Sequence, residues 1–122
     1  MKSVRQLQIY KLNAIMKYDL SEIMKLEHTF IKRYGVTMSE ALRSAWRNAK
    51  LRIAMTKGIV KFYYQKIDGT IREAYGTLEP GRIPPVTGND TRRRNDSVQT
   101  YYDTEREEWR CYKKINLISI AA

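Results

Sequence analysis

A single cysteine, Cys111, leaves no intrachain disulfide to staple the fold, and this scarcity suits a reducing, cytoplasmic setting. Histidine is equally scarce. His28 stands alone beside an apolar helical face, distant in sequence from Cys111, and reads as a boundary residue rather than a metal ligand. No apolar run approaches the roughly 20 residues of a membrane span. The stretch Met1–Lys17 is broken by Lys2, Arg5, Lys11 and Asn13, so it does not read as a signal peptide. No nucleophile–base pair, phosphate-binding loop or dinucleotide fingerprint occurs. These absences lead us to expect no enzyme, no catalytic residues, no cofactor, no metal and no membrane partner.

What is abundant is positive charge. The 122 residues carry a formal net charge of +10. Residues 1–57 hold 12 basic and 4 acidic side chains, whereas residues 58–122 hold 11 and 9. Such an excess attracts polyanions nonspecifically and also promotes solubility. A chain this long forms an adequate core without disulfides or metals.

The pattern divides near residue 57. Ser3-x-x-Gln6, Asp19-x-x-Glu22 and Thr37-x-x-Glu40 are capping boxes able to open three helices. The first segment, 4–17, fits a helix through Val4, Leu7, Ala14 and Ile15, but its start alternates like a strand, and both readings stay open. The second, 20–34, aligns Ile23, Leu26, Phe30 and Tyr34 and ends at Gly35, suited to an αL cap. The third aligns Met38, Ala41, Leu42, Ala45, Trp46, Ala49 and Ile53. The second and third segments therefore predict a helical hairpin.

From Ile59 the chain reads as β-structure. Strands are expected over 59–66, 70–78, 98–103, 109–113 and 117–120, with a hairpin turn at Asp68-Gly69. Residues 79–95 read as loop because Pro80-Gly81, Pro84-Pro85 and Gly88-Asn89 block regular structure. Cys111 and Trp109 share one strand face, which predicts a buried thiol. Glu105, Glu107 and Glu108 read as a polar hairpin tip.

Several stretches together resemble a known family. They are Asp68-Gly69-Thr70-Ile71-Arg72-Glu73-Ala74-x-Gly76-Thr77-Leu78, Ile83-Pro84, the Gly-basic loop 88–94, Tyr101-Tyr102-Asp103, and Trp109-Arg110-x-Tyr112-Lys113-x-x-Asn116-Leu117. The half that carries them is similar to a WYL-related family with an Sm-like, SH3-type β-barrel, found in gut bacteria and their phages. The hairpin stretch Ser39-Glu40-Ala41-Leu42-x-x-Ala45-Trp46 also resembles segments that precede such barrels. The resemblance implies a fold and a phage or mobile-element setting, and no established activity. The expected architecture is α+β: a helical segment, 1–57, packed on a five-stranded SH3-like barrel, 58–122, as one compact unit. Phe30, Leu42 and Trp46 are expected at the contact between them.

Three groups of residues could carry function. Arg43, Arg47 and Lys50 lie at i, i+4 and i+7, sharing one helix face that could touch successive phosphates or simply be solvated. Arg92, Arg93 and Arg94 follow in the long loop, where guanidinium forks suit phosphate oxygens. In the barrel, aromatics interleave with bases, and Tyr63, Tyr102, Arg110, Tyr112 and Lys113 are the candidates for base stacking and phosphate contact. Strand alternation nevertheless sends about half of such rings inward as core.

The leading expectation is a nonenzymatic nucleic-acid-binding accessory protein of phage or mobile-element origin. Engagement of all six helix and loop bases on duplex DNA would give a log K against log salt slope of about −5. The rival is an interaction module acting as inhibitor or adaptor of a host protein complex, and a weaker alternative is a small-ligand sensor.

Overall fold

The computed structural model describes residues 18–84 and 96–121. The first segment, 4–17, and Arg92, Arg93 and Arg94 lie outside the described residues.

Helix α1 spans Leu20–Tyr34. The Asp19 carboxylate accepts from Glu22 N at 3.2 Å, and Gly35, at φ 65°, donates its N–H to Ile31 O at 3.0 Å. Helix α2 spans Met38–Lys57, with the Thr37 hydroxyl accepting from Glu40 N at 3.2 Å. Both capping boxes therefore satisfy N–H groups that a helix leaves orphaned.

The buried face of α2 is not the expected stripe. It runs through Ala41, Ser44, Ala45, Asn48, Leu51 and Met55. Ala41 and Ala45 pack with Ile23 and Phe30 of α1, and their small side chains allow the two helices to approach closely. Leu51 and Met55, one turn apart, turn into the barrel core instead. Phe30 therefore belongs to the cluster between the helices, Trp46 is a half-buried neighbour of that same cluster, and Leu42 is 40% exposed. This corrects the expected contact: Leu51 and Met55 join helix to barrel.

Five strands follow: β1 (Val60–Gln65), β2 (Ile71–Thr77), β3 (Val98–Asp103), β4 (Glu108–Lys113) and β5 (Leu117–Ile120), the last two joined by a 3₁₀ turn at Lys114–Asn116. They form one antiparallel sheet in the order β4-β3-β2-β1-β5. At the β1–β2 hairpin Gly69 adopts φ 90°, and the Asp68 carboxylate accepts from Thr70 N at 2.9 Å and from its hydroxyl at 2.6 Å. Those bonds hold the Asp68 carboxyl below its ordinary pKa.

Strands β2 and β3 pair at Gly76↔Asp103 and Thr77↔Tyr102. Thr77 is fully buried, and its hydroxyl lies 3.2 Å from Met55 O and 2.9 Å from Gly58 O. Leu78 N also donates to Met55 O at 2.9 Å. The Met55 carbonyl in the last turn of α2 and the Gly58 carbonyl just beyond it are thus engaged by the end of β2, which locks helix to sheet.

Four rings fill the barrel. Phe62 meets Tyr101 edge-on at 5.1 Å, and Tyr64 stacks on Tyr112 at 5.1 Å. The Tyr64 and Tyr101 hydroxyls share a 2.8 Å hydrogen bond. Ala74, Leu117, Leu51 and Met55 complete the core. In β4 the alternation runs opposite to expectation: Cys111 is exposed and Trp109 is 42% exposed. Tyr112, the one strongly core-forming ring of β4, claims the inner face, so its odd-numbered neighbours face outward.

Candidate nucleic-acid interface

Helix α2 presents Arg43, Arg47 and Lys50 on the side that faces β5. Arg43 is exposed and is steadied by Ser39, its Nε 3.4 Å from the Ser39 carbonyl and its Nη2 3.3 Å from the hydroxyl. Arg47 is half-buried and donates from Nη1 to Leu117 O at 3.3 Å, tying the helix to the start of β5. Lys50 is exposed one turn further.

Between α2 and β5 lies a groove of about 450 Å³. Leu42, Trp46, Ile118 and Ile120 supply its apolar lining, and the three cations with Ser119 its polar lining. No acidic side chain occurs among the described residues that line it. Trp46 is braced by an edge-on contact with Tyr18 at 5.4 Å. Leu42 and Trp46 thus border the barrel as expected, but across a groove beside β5, which returns next to a helix some 70 residues earlier.

The barrel candidates divide. Tyr63 is half-buried on β1, opposite Ser119 of β5, and does not line the groove. Lys61 sits 5.8 Å from the centres of the Tyr63 and Tyr75 rings and pairs with Glu73 at 3.3 Å. Its contact with Tyr63, then the Glu73 carboxylate, holds the ammonium above its ordinary pKa. Tyr102 is half-buried on the outer side of β3, edge-on to Trp109 at 5.5 Å, and Lys113 is exposed along the same side of β4.

Two candidates are withdrawn from the surface. Tyr112 is only 3% exposed, and burial pushes its phenol pKa up. A ring enclosed by Phe62, Tyr64 and Tyr101 has no face to offer a base. Arg110 shares the inner alternation of Tyr112 and is neutralised there: its Nε lies 3.3 Å from the buried Asp103 carboxylate, and its Nη2 bonds Glu108. Asp103 also accepts from Glu105 N and Arg106 N, so it organises the β3–β4 turn. The acidic tip is thus a structural turn, with Glu107 at φ 53°.

A second cavity, of about 1200 Å³, runs along α1 and α2 and includes Ile23, Ala49, Ile53, Asn48 and Lys114. Asn48 donates to Ser44 O and to Lys114 O, each at 2.9 Å, while its buried Oδ1 has no hydrogen-bond partner among the described residues. His28 is exposed at this cavity's border. Among the described residues no group of three or more His, Cys, Asp or Glu is placed to hold a metal ion, and no helix is long and apolar enough to cross a membrane.

The sheet, its hairpin turns and the helix that completes its core define an SH3-like barrel. The model of the family WYL_2, Sm-like SH3 beta-barrel fold, matches residues 48–118, and the chain belongs to that family. The matched region begins inside α2, just ahead of Leu51 and Met55, whose side chains close the barrel core. No curated protein and no solved structure matches the chain.

Proposed function

We propose that this protein binds nucleic acid without catalysing a reaction on it, through the α2 face beside β5. One observation carries the reading: Arg43, Arg47 and Lys50 line one groove without an acidic side chain among its described lining residues. Opposed carboxylates neutralise cations such as Lys61 and Arg110, whereas no acidic side chain lines this groove among the described residues, in a chain of net charge +10. Arg47, fixed by the Leu117 carbonyl, keeps further N–H donors for phosphate oxygens. The proposed role is an accessory one in a phage or mobile element.

Anisotropy titration of labelled DNA and RNA across a salt series tests the reading. Three phosphate contacts give a log K against log salt slope of about −2.7 on duplex and about −2.1 on a single strand. Arg43→Ala and Lys50→Ala each flatten the slope by somewhat under one. A stoichiometric complex with a host protein that survives nuclease and high salt, with no nucleic-acid binding, would favour an adaptor or inhibitor role instead. The 1200 Å³ cavity favours, as a second reading, a small-ligand pocket. A ligand for it would raise the thermal midpoint at modest concentration.

A further inference from the structure

We infer that the α2–β5 groove takes a single strand, bases inward against Trp46 and the β5 edge, with phosphates along the Arg43–Arg47–Lys50 wall. The inference rests on the nucleic-acid reading and adds the class of strand. A duplex presents phosphates outward and hides its bases, so it can use cations alone. This groove offers more. Its apolar lining is Leu42, Trp46, Ile118 and Ile120, with Leu42 and Ile118 each 40% exposed. Phosphate gains nothing from such a surface, whereas the π-face of any unpaired base does.

The strand edge adds polar groups of the matching kind. β5 is the outermost strand of the described sheet on this side. Ala121 N donates to Lys61 O at 2.9 Å, which sets the phase of the ladder. Ser119, opposite Tyr63, therefore turns its backbone groups toward β1, while Ile120 turns its own to the edge away from β1. That edge offers an N–H donor and a C=O acceptor. A phosphate only accepts hydrogen bonds, but base edges both donate and accept. The three cations span seven residue steps of helix, roughly 10 Å, a length that serves a short stretch of extended backbone.

An acidic protein segment adding a strand to β5 is the competing occupant, and the edge suits it less. β5 has four residues, its register with β1 shifts between Tyr63 and Tyr64, and the Arg47 side chain already occupies the Leu117 carbonyl. Strand addition draws its affinity from a run of main-chain hydrogen bonds that so short an edge does not supply.

The test uses the full chain carrying Trp109→Phe, which leaves Trp46 as the sole tryptophan. Oligothymidylate, oligouridylate and a mixed-sequence duplex of equal length are titrated at one salt concentration, following Trp46 emission and, in parallel, anisotropy. The expected result is quenching of Trp46 by a single strand and binding at least tenfold tighter than to duplex. Trp46→Leu should weaken single-strand binding by roughly five-fold or more. Ile118→Thr, a substitution on the exposed side of β5, should weaken it with the salt slope unchanged, which guards against a fold defect in the Trp46 variant. Duplex binding as tight as single-strand binding, with Trp46 emission unmoved, overturns the inference and leaves the nucleic-acid reading standing. Binding of neither form overturns both, as does a polyglutamate that binds the groove while the oligonucleotides do not.

Discussion

Replacing Gly76 by alanine should damage the barrel more than a single methyl group suggests. A Cβ at Gly76 would lie 2.7 Å from Tyr101 Cδ2, 2.9 Å from Phe62 Cε1 and 3.2 Å from Tyr101 Cγ. Both rings are fully buried and lock edge-on at 5.1 Å, and Tyr101 is further tied through its hydroxyl to Tyr64 at 2.8 Å. Neither ring can yield without disturbing that arrangement. The backbone cannot retreat easily either, because Gly76 pairs with Val60 on one side and Asp103 on the other. Overpacking of this kind costs about 1–3 kcal/mol. With an unfolding entropy of about 2.1 cal/mol/K per residue, that lowers the thermal midpoint by roughly 4–12 °C for a chain of this size. Far-UV circular dichroism on heating reads it directly. Gly58→Ala is the control: Gly58 has extended φ of 171° and nothing within 4 Å of an added Cβ. It should hold or slightly raise the midpoint by restricting the unfolded chain. A Gly76→Ala midpoint equal to wild type, or an equal fall at Gly58, would refute the packing argument.

Leu51→Ala should destabilise by about 2–5 kcal/mol because Leu51 is fully buried in the barrel core, whereas Leu42→Ala should stay within about 0.5 kcal/mol; urea denaturation distinguishes them. Tyr112→Phe should leave stability unchanged or raise it, since its buried hydroxyl has no hydrogen-bond partner among the described residues, while Tyr101→Phe strands the Tyr64 hydroxyl and costs about 1–3 kcal/mol. Burial pushes both phenols up in the folded chain, for Tyr101 with help from the Tyr64 hydrogen bond. Their contribution is therefore fully present below the unfolded phenol pKa of about 10 and is lost as pH rises beyond it, when the unfolded chain ionises first. Stability measured against pH should fall in that alkaline window, and Tyr112→Phe should make the fall shallower.

Local rules carried much of this fold. The capping residues Asp19 and Thr37, the αL Gly35 and the Asp68-Gly69 turn act within a few residues of themselves, so their roles were legible in the sequence. Strand positions were legible for the same reason. The facing of side chains was harder where two partners competed. A helix stripe of Leu42, Trp46 and Ile53 is as apolar as one reaching Leu51 and Met55; only the barrel's position decides that α2 turns the latter pair inward. In β4, Arg110 lies on the inner phase because Asp103 waits there to pair with it, a long-range fact with no local signature. The cations of α2 were legible from their spacing. Their groove was not, since its other wall is β5.

The most direct test of the central claim is the salt dependence of oligonucleotide affinity for wild type and for a folded Arg43→Glu/Lys50→Glu variant. Submicromolar to micromolar binding at physiological salt, with a slope near −2 that collapses in the variant, is the expected result. Equal affinity and slope in both proteins, or no binding by wild type, would contradict the claim that this face of α2 holds nucleic acid.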